Sequence, residues 1–303
     1  MIRLFDGHCD TAYELWRRGQ PLENNTCHID LRKASAFGAY AQVFAFCSYA
    51  GQADIDCAAM LTEPYAVLRK EVRNNASRIA FADTQEMILQ TLSAGKAAAL
   101  LSVEGAEVIG CDMRYLSTLR EQGFRMLALT WNADNVLAGC HLSDGGLTTQ
   151  GRAFVKEAQA LDILIDVSHL GTRAFWNLAD ITTKPILASH SNARAVCDHS
   201  RNLTDDQLRV IAETGGTVGL NLYPPFLGEH ADFETLLRHL EHMLTVCGET
   251  HVALGGDLDG CDTLAAGFAS VADYADFYAY LSVRGYAEDM LDRLFFRNLF
   301  ALF

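Results

Sequence analysis

The sequence predicts a single (β/α)8 barrel over residues 1–303, and three observations carry that expectation. Short apolar, β-branched or aromatic runs alternate with longer helix-period segments along the whole chain. Eight such runs can be counted, apolar on both faces, which is the pattern of a parallel sheet covered by helices. The 303 residues, 50% of them hydrophobic, exceed the roughly 250 of a usual barrel. The surplus fits a long segment at 12–40 and a helical C-terminus, YAEDMLDRLFFRNLFALF (286–303).

In order, the runs are IRLFD (2–6), AQVFAFCSY (41–49), AAALLSVEG (97–105), FRMLALTWN (124–132), DILIDVSHL (162–170), PILASHS (185–191), GTVGLNLY (216–223) and HVALGGDLDG (251–260). Between them lie helical patterns at 62–76, 114–123, 151–162, 204–216 and 233–248. Thr204 followed by Asp205 and Asp206 reads as an N-cap with an acidic first turn, and Gly123, Gly215 and Gly248 fall where helices should stop. An open doubly wound sheet would need a phosphate-binding glycine loop after the first strand. HCDTAYELW stands there instead.

A net charge of −14 argues against nucleic acid and an anionic membrane as partners, because both need clustered Lys and Arg. A small molecule is the expected partner. The start MIRLFDGH has no basic n-region, and no run reaches the roughly 18 apolar residues of a membrane span. Nine cysteines without a CxxC pair fit free thiols in a reducing compartment, so the expected location is cytoplasmic.

Barrels build their sites from the C-terminal ends of the strands. There the first run ends in His8 and Asp10, the third in Glu104, the fifth in His169, the sixth in His190 and the eighth in Asp257. Any one of these has a bland structural explanation, but together they bring five or six hard or borderline ligands to one rim. His28, His199, His230, His239, His242 and His251 sit in loops, helical stretches or at a strand start and read as surface or structural; His141 is ambiguous.

Three histidines and two or three carboxylates exceed what one closed tetrahedral zinc needs. Two divalent ions fit better, with zinc as the expected identity. His8 and Asp10, an i, i+2 pair on one strand face, would take the first ion. His169 and His190 would take the second, with Glu104 as the bridge. None of the five lysines, at 33, 70, 96, 156 and 184, lies at a strand end to bridge as a carbamate. Two such ions would hold and activate a hydroxide between them.

DGHCDT, SVEG, DVSHLG, SHS and GGDLDG, in that order, resemble the renal (membrane) dipeptidase family of the metal-dependent amidohydrolase superfamily. The likeness runs the length of the chain, down to RNLFALF at its end. It implies a dizinc dipeptidase with His8, Asp10, Glu104, His169 and His190 as ligands and Glu104 bridging. It further implies Asp257 as the residue that positions the hydroxide and passes its proton to the leaving amine. Arg201, in HSRN, matches the arginine that binds the substrate carboxylate.

Where animal members have LTH, with a histidine thought to hold the oxyanion, this chain has LTWN, so Trp131 and Asn132 become the candidate donors. Tyr223 resembles a substrate-pocket tyrosine. Bacterial-type members often accept a D-residue at the second position, and barrels of the family often pair, so a homodimer is compatible with the resemblance. Two other readings keep less support: a lactonase, deaminase or phosphoesterase on the same centre, or a non-catalytic metal- or partner-binding barrel. Arg201 discriminates, since a substrate without a carboxylate would tolerate its loss.

Overall fold

In the computed structural model, which describes residues 1–303, the apolar runs form parallel strands. These are β1 (Arg3–Cys9), β2 (Ala39–Cys47), β3 (Ile79–Phe81), β4 (Ala97–Glu104), β5 (Phe124–Ala128), β6 (Leu164–Asp166), β7 (Ile186–Ala188), β8 (Thr217–Leu220) and β9 (Val252–Leu254). Neighbours run β2-β1-β9-β8-β7-β6-β5-β4, and β2 pairs back onto β4 from Ala41↔Ala98 to Cys47↔Glu104. Eight strands thereby close into a (β/α)8 barrel. The sequence reading did not contain β3, a three-residue strand on the first residues of β4, along the edge that β5 takes from Leu101 onward.

The helices between the strands stop and start on the expected residues. Asp205–Glu213 opens with a reciprocal pair of hydrogen bonds between Thr204 and Gln207, and Phe233–Cys247 ends at Gly248 with φ 81°. The helix expected at 62–76 begins earlier, as Cys57–Asn74, because the Asp56 carboxylate accepts from the Ala58 and Ala59 N–H groups. The C-terminal segment is helical from Glu288 to Phe300 and contains a π-helical turn, Arg293–Arg297.

Alternation along each strand sends every second side chain into the barrel. At the bottom Phe5, Val43, Leu100, Met126, Leu164, Leu187 and Ala253 form one apolar cluster, closed from below by Phe296 and Leu299 of the C-terminal turns. One layer higher the side chains shrink. The Ser189 carbonyl oxygen lies 3.0, 2.0 and 1.7 Å from where a Cβ would sit on Gly7, Gly219 and Gly255. The chain beyond β7 therefore leans across a layer that only glycines can clear, and this carries His190 toward the barrel axis.

One expectation about β1 is corrected. Its register against β2 slips between Asp6 and Cys9, and Asp10, with φ −100° and ψ 19°, is the N-cap of the helix Thr11–Arg18. His8 and Asp10 therefore do not share a strand face by simple alternation. An irregular strand end followed at once by a helix start brings them together.

Candidate metal centre

Glu104 ends β4 with its two oxygens facing different partners. Oε2 lies 3.5 Å from His8 Nε2, while Oε1 lies 2.8 Å from His169 Nε2 and 3.5 Å from His190 Nε2. Asp10 Oδ2 joins the first group, 3.4 Å from His8 Nε2, and the Nε2 atoms of His169 and His190 are 3.2 Å apart. Asp257 Oδ1 stands 3.9 Å from His8 Nε2. Glu104 thus stands between two groups of donors, His8 and Asp10 on one side and His169 and His190 on the other, with His8 also close enough to His190 and Glu104 to share one ion with them.

The donor set fits divalent cations. His8 Nε2 and Asp10 Oδ1 are buried without a hydrogen-bond partner, and all the nitrogens involved are Nε2 atoms turned to the same centre. Burial is the largest influence on every member. It drives His169 down to about 4, with Arg201 adding to the effect, and holds His190 well below the ordinary imidazole value, so both present the neutral, ligand-ready ring. Burial also lifts Asp10 to about 7 and raises Asp257. It opposes charge on His8 and Glu104 too, but there the carboxylate–imidazole pairing wins: His8 is raised and Glu104 lowered.

Behind each ligand stands a partner that fixes its ring or backbone. His190 Nδ1 lies 2.7 Å from Ser189 Oγ, which donates to Asp166; Asp166 also accepts from the Ser168 and Ser189 N–H groups at 2.9 and 3.0 Å. Asp6 accepts from His8 N–H and Gln42 through one oxygen, at 2.9 and 3.0 Å. Its other oxygen accepts from Gly256 N–H and the Tyr274 hydroxyl, at 2.9 and 2.7 Å. It ties the ends of β1 and β9 into one block. Two site residues hold left-handed backbone conformations, His169 at φ 71° and Asp257 at φ 59°.

A cavity of about 390 Å3 opens over this centre, lined by Asp10, Glu104, His169 and Asp257 together with Cys47, Tyr49, Trp131, Asn132, Tyr223 and Phe226. Its size suits a small ligand. Trp131 stands 5.4 Å from Tyr49 and 6.2 Å from His169, measured between ring centroids. Asn132 turns its Oδ1 to His169 Nδ1 at 2.7 Å and His141 Nε2 at 3.0 Å, so the oxygen of this side chain serves the metal ligand. Arg201 sits behind the lining, its guanidinium 5.3 Å from the Phe226 ring centroid, with Nε and Nη2 unpaired.

Sequence reasoning missed Asp6, Asp166, Ser189 and the role of His141. A signal existed for the two acids: a carboxylate inside an otherwise apolar strand must be buried, and a buried carboxylate must be hydrogen-bonded. No such signal marks Ser189, whose acceptor Asp166 lies on β6, or His141, whose partner Ser200 lies in a distant loop.

Comparison with known proteins agrees with this geometry. The model of the membrane dipeptidase family, peptidase family M19, matches residues 1–303. An uncharacterized protein from the pqqA 5′ region of Klebsiella pneumoniae is 33% identical over 253 residues, 79% of this chain and 93% of that protein. An uncharacterized dipeptidase of Schizosaccharomyces pombe is 33% identical over 208 residues, which is 66% of this chain and 51% of the yeast protein. Among solved structures, the metallopeptidase "dipeptidase AC" of family M19 superposes with a TM-score of 0.92 at 31% identity, covering 99% of this chain and 97% of its own. A Rhodobacter sphaeroides metallopeptidase liganded with a phosphinate mimic of L-Ala-D-Ala gives 0.91 at 30% identity, with 99% and 98% covered. The chain therefore belongs to the membrane dipeptidase family, peptidase family M19, and is a metallo-dipeptidase.

Proposed function

We propose that the chain hydrolyses dipeptides bearing a free C-terminal carboxylate, at a centre of two divalent ions with zinc as the expected metal. Arg201 carries this reading. It is 4% exposed, packs behind the lining residue Phe226 and leaves Nε and Nη2 without a partner. An unsatisfied buried donor costs roughly 1–3 kcal/mol, and more when charged. A substrate carboxylate is the partner that satisfies both donors at once.

Divalent ions at the two sub-sites would supply an activated water and a Lewis acid for the scissile carbonyl. The chain's residues divide the remaining work. Arg201 holds the carboxylate and so rejects peptides that continue past that point. Asp257 faces the centre through Oδ1, while its Oδ2 accepts from Asn221 Nδ2 at 3.4 Å. It takes the proton of the attacking water and returns it to the leaving amine. Trp131 and Tyr223 contact the substrate from the cavity wall, and the amide nitrogen of Asn132 and the indole N–H are the donors left for the oxyanion.

A D-residue at the C-terminal position is part of the proposal, supported by the L-Ala-D-Ala mimic on the Rhodobacter sphaeroides relative. The nine cysteines are all free thiols, which supports a reducing compartment, and no helix is long and apolar enough to cross a membrane.

The test is a release assay over L-L, L-D and D-L dipeptides, each beside its C-terminal amide and with a chelator control. The proposal predicts chelator-sensitive cleavage of the acids. It also predicts a loss on the order of 100-fold in kcat/KM for the amides and for Arg201→Ala. Equal turnover of acid and amide would overturn it.

A further inference from the structure

His141 stands between the metal ligands and Arg201. Its ring nitrogens reach in opposite directions, Nε2 to Asn132 Oδ1 at 3.0 Å and Nδ1 to Ser200 Oγ at 2.8 Å. The same Asn132 oxygen lies 2.7 Å from His169 Nδ1. The polarity of this line follows from the metal-ligand role of His169. With Nε2 given to an ion, the His169 ring would keep its proton on Nδ1 and donate it to Asn132. That amide oxygen, an acceptor only, also takes the proton of His141 Nε2. His141 Nδ1 is then an acceptor, and the Ser200 hydroxyl donates to it. One directed line of hydrogen bonds joins a metal ligand to the residue before Arg201.

The Arg201 loop, residues 192–204, has no other such tie on that side. Asn192 and Asn202 donate to the Asn221 and Phe226 carbonyls beyond β8, and the Ala193 N–H donates to His239. Arg194 closes the loop on itself through the His199 and Ser200 carbonyls. The loop is therefore anchored toward β8 and to its own backbone, while His141 fixes its distance from β5 and β6, where Asn132 and His169 sit.

We propose that His141 is a positioning residue that sets the span between the metal centre and the Arg201 guanidinium, and so the one-residue spacing the site accepts. The inference rests on the reading of Arg201 as the carboxylate clamp. In a dipeptide the carboxylate lies a fixed number of bonds from the scissile carbonyl, so a clamp displaced by about 1 Å loses the productive geometry. Extended substrates, such as a dipeptide ending in β-alanine, should then gain relative to one ending in alanine.

The experiment measures kcat, KM and bound metal for the metal-loaded parent, His141→Ala, His141→Gln, Ser200→Ala and Arg201→Ala, on a dipeptide and its β-alanine homologue. His141→Ala should raise KM about tenfold with kcat within threefold and metal content unchanged. It should also narrow the preference for the shorter substrate. Ser200→Ala should act in the same direction even if His141→Ala folds poorly. His141→Gln, whose amide can donate to Asn132 and accept from Ser200, should recover most of the KM. Activity that survives Arg201→Ala would overturn the clamp and this inference with it. Activity lost in Arg201→Ala, but with parental KM and preference in both His141→Ala and Ser200→Ala, would overturn the inference alone.

Discussion

Glu104 and Asp257 are both carboxylates at strand ends, yet their surroundings separate their roles. Glu104 sits among three imidazoles, which outweigh its burial and keep it ionised, as a bridging ligand must be. Asp257 has one imidazole at 3.9 Å and burial as its main influence, so it binds a proton more readily and suits proton transfer. Asp257→Asn keeps the shape and removes the proton acceptor. We expect kcat to fall by about 10²–10⁴ while bound metal and KM stay near parental. Loss of metal in that variant, measured on the purified protein, would make Asp257 a ligand instead. The residue types of the centre were legible in the sequence because each lies directly after an apolar run. The roles of Asn132 and His141 were not, because what decides them is a hydrogen bond to a distant loop.

Among the elements, β7 and the glycines facing its end determine whether the centre closes. Gly219 and Gly255 leave space that the Ser189 carbonyl occupies, and His190 follows directly from Ser189. Gly219→Ala would put a Cβ 2.0 Å from that oxygen, a contact no side-chain rearrangement relieves because both partners are backbone or Cβ. We expect a destabilisation of about 1–3 kcal/mol in denaturant unfolding, together with weakened metal retention. Full metal retention at parental stability would show that β7 does not depend on this gap. The long strands and strongly periodic helices were readable from spacing and caps. The three residues of β3 were not read, although β6, β7 and β9 are as short, and the slip in β1 is a matter of register, which composition does not encode.

For the whole molecule, the barrel is graded along its axis: apolar and plugged at the bottom, small in the middle, polar and ligand-rich at the top. The alternation of elements made the barrel legible, and the barrel in turn made the rim legible as a site. The supporting acids Asp6 and Asp166 belong to the same plan, tying neighbouring strand ends together below the ligands.

The most direct measurement is the metal stoichiometry of the purified, metal-reconstituted protein by elemental analysis, beside Glu104→Ala handled identically. Two sub-sites sharing Glu104 predict two equivalents in the parent, and at most one, with dipeptide turnover abolished, in the variant. One equivalent or fewer in the parent, or two in both proteins, would contradict the shared-carboxylate centre on which the account stands.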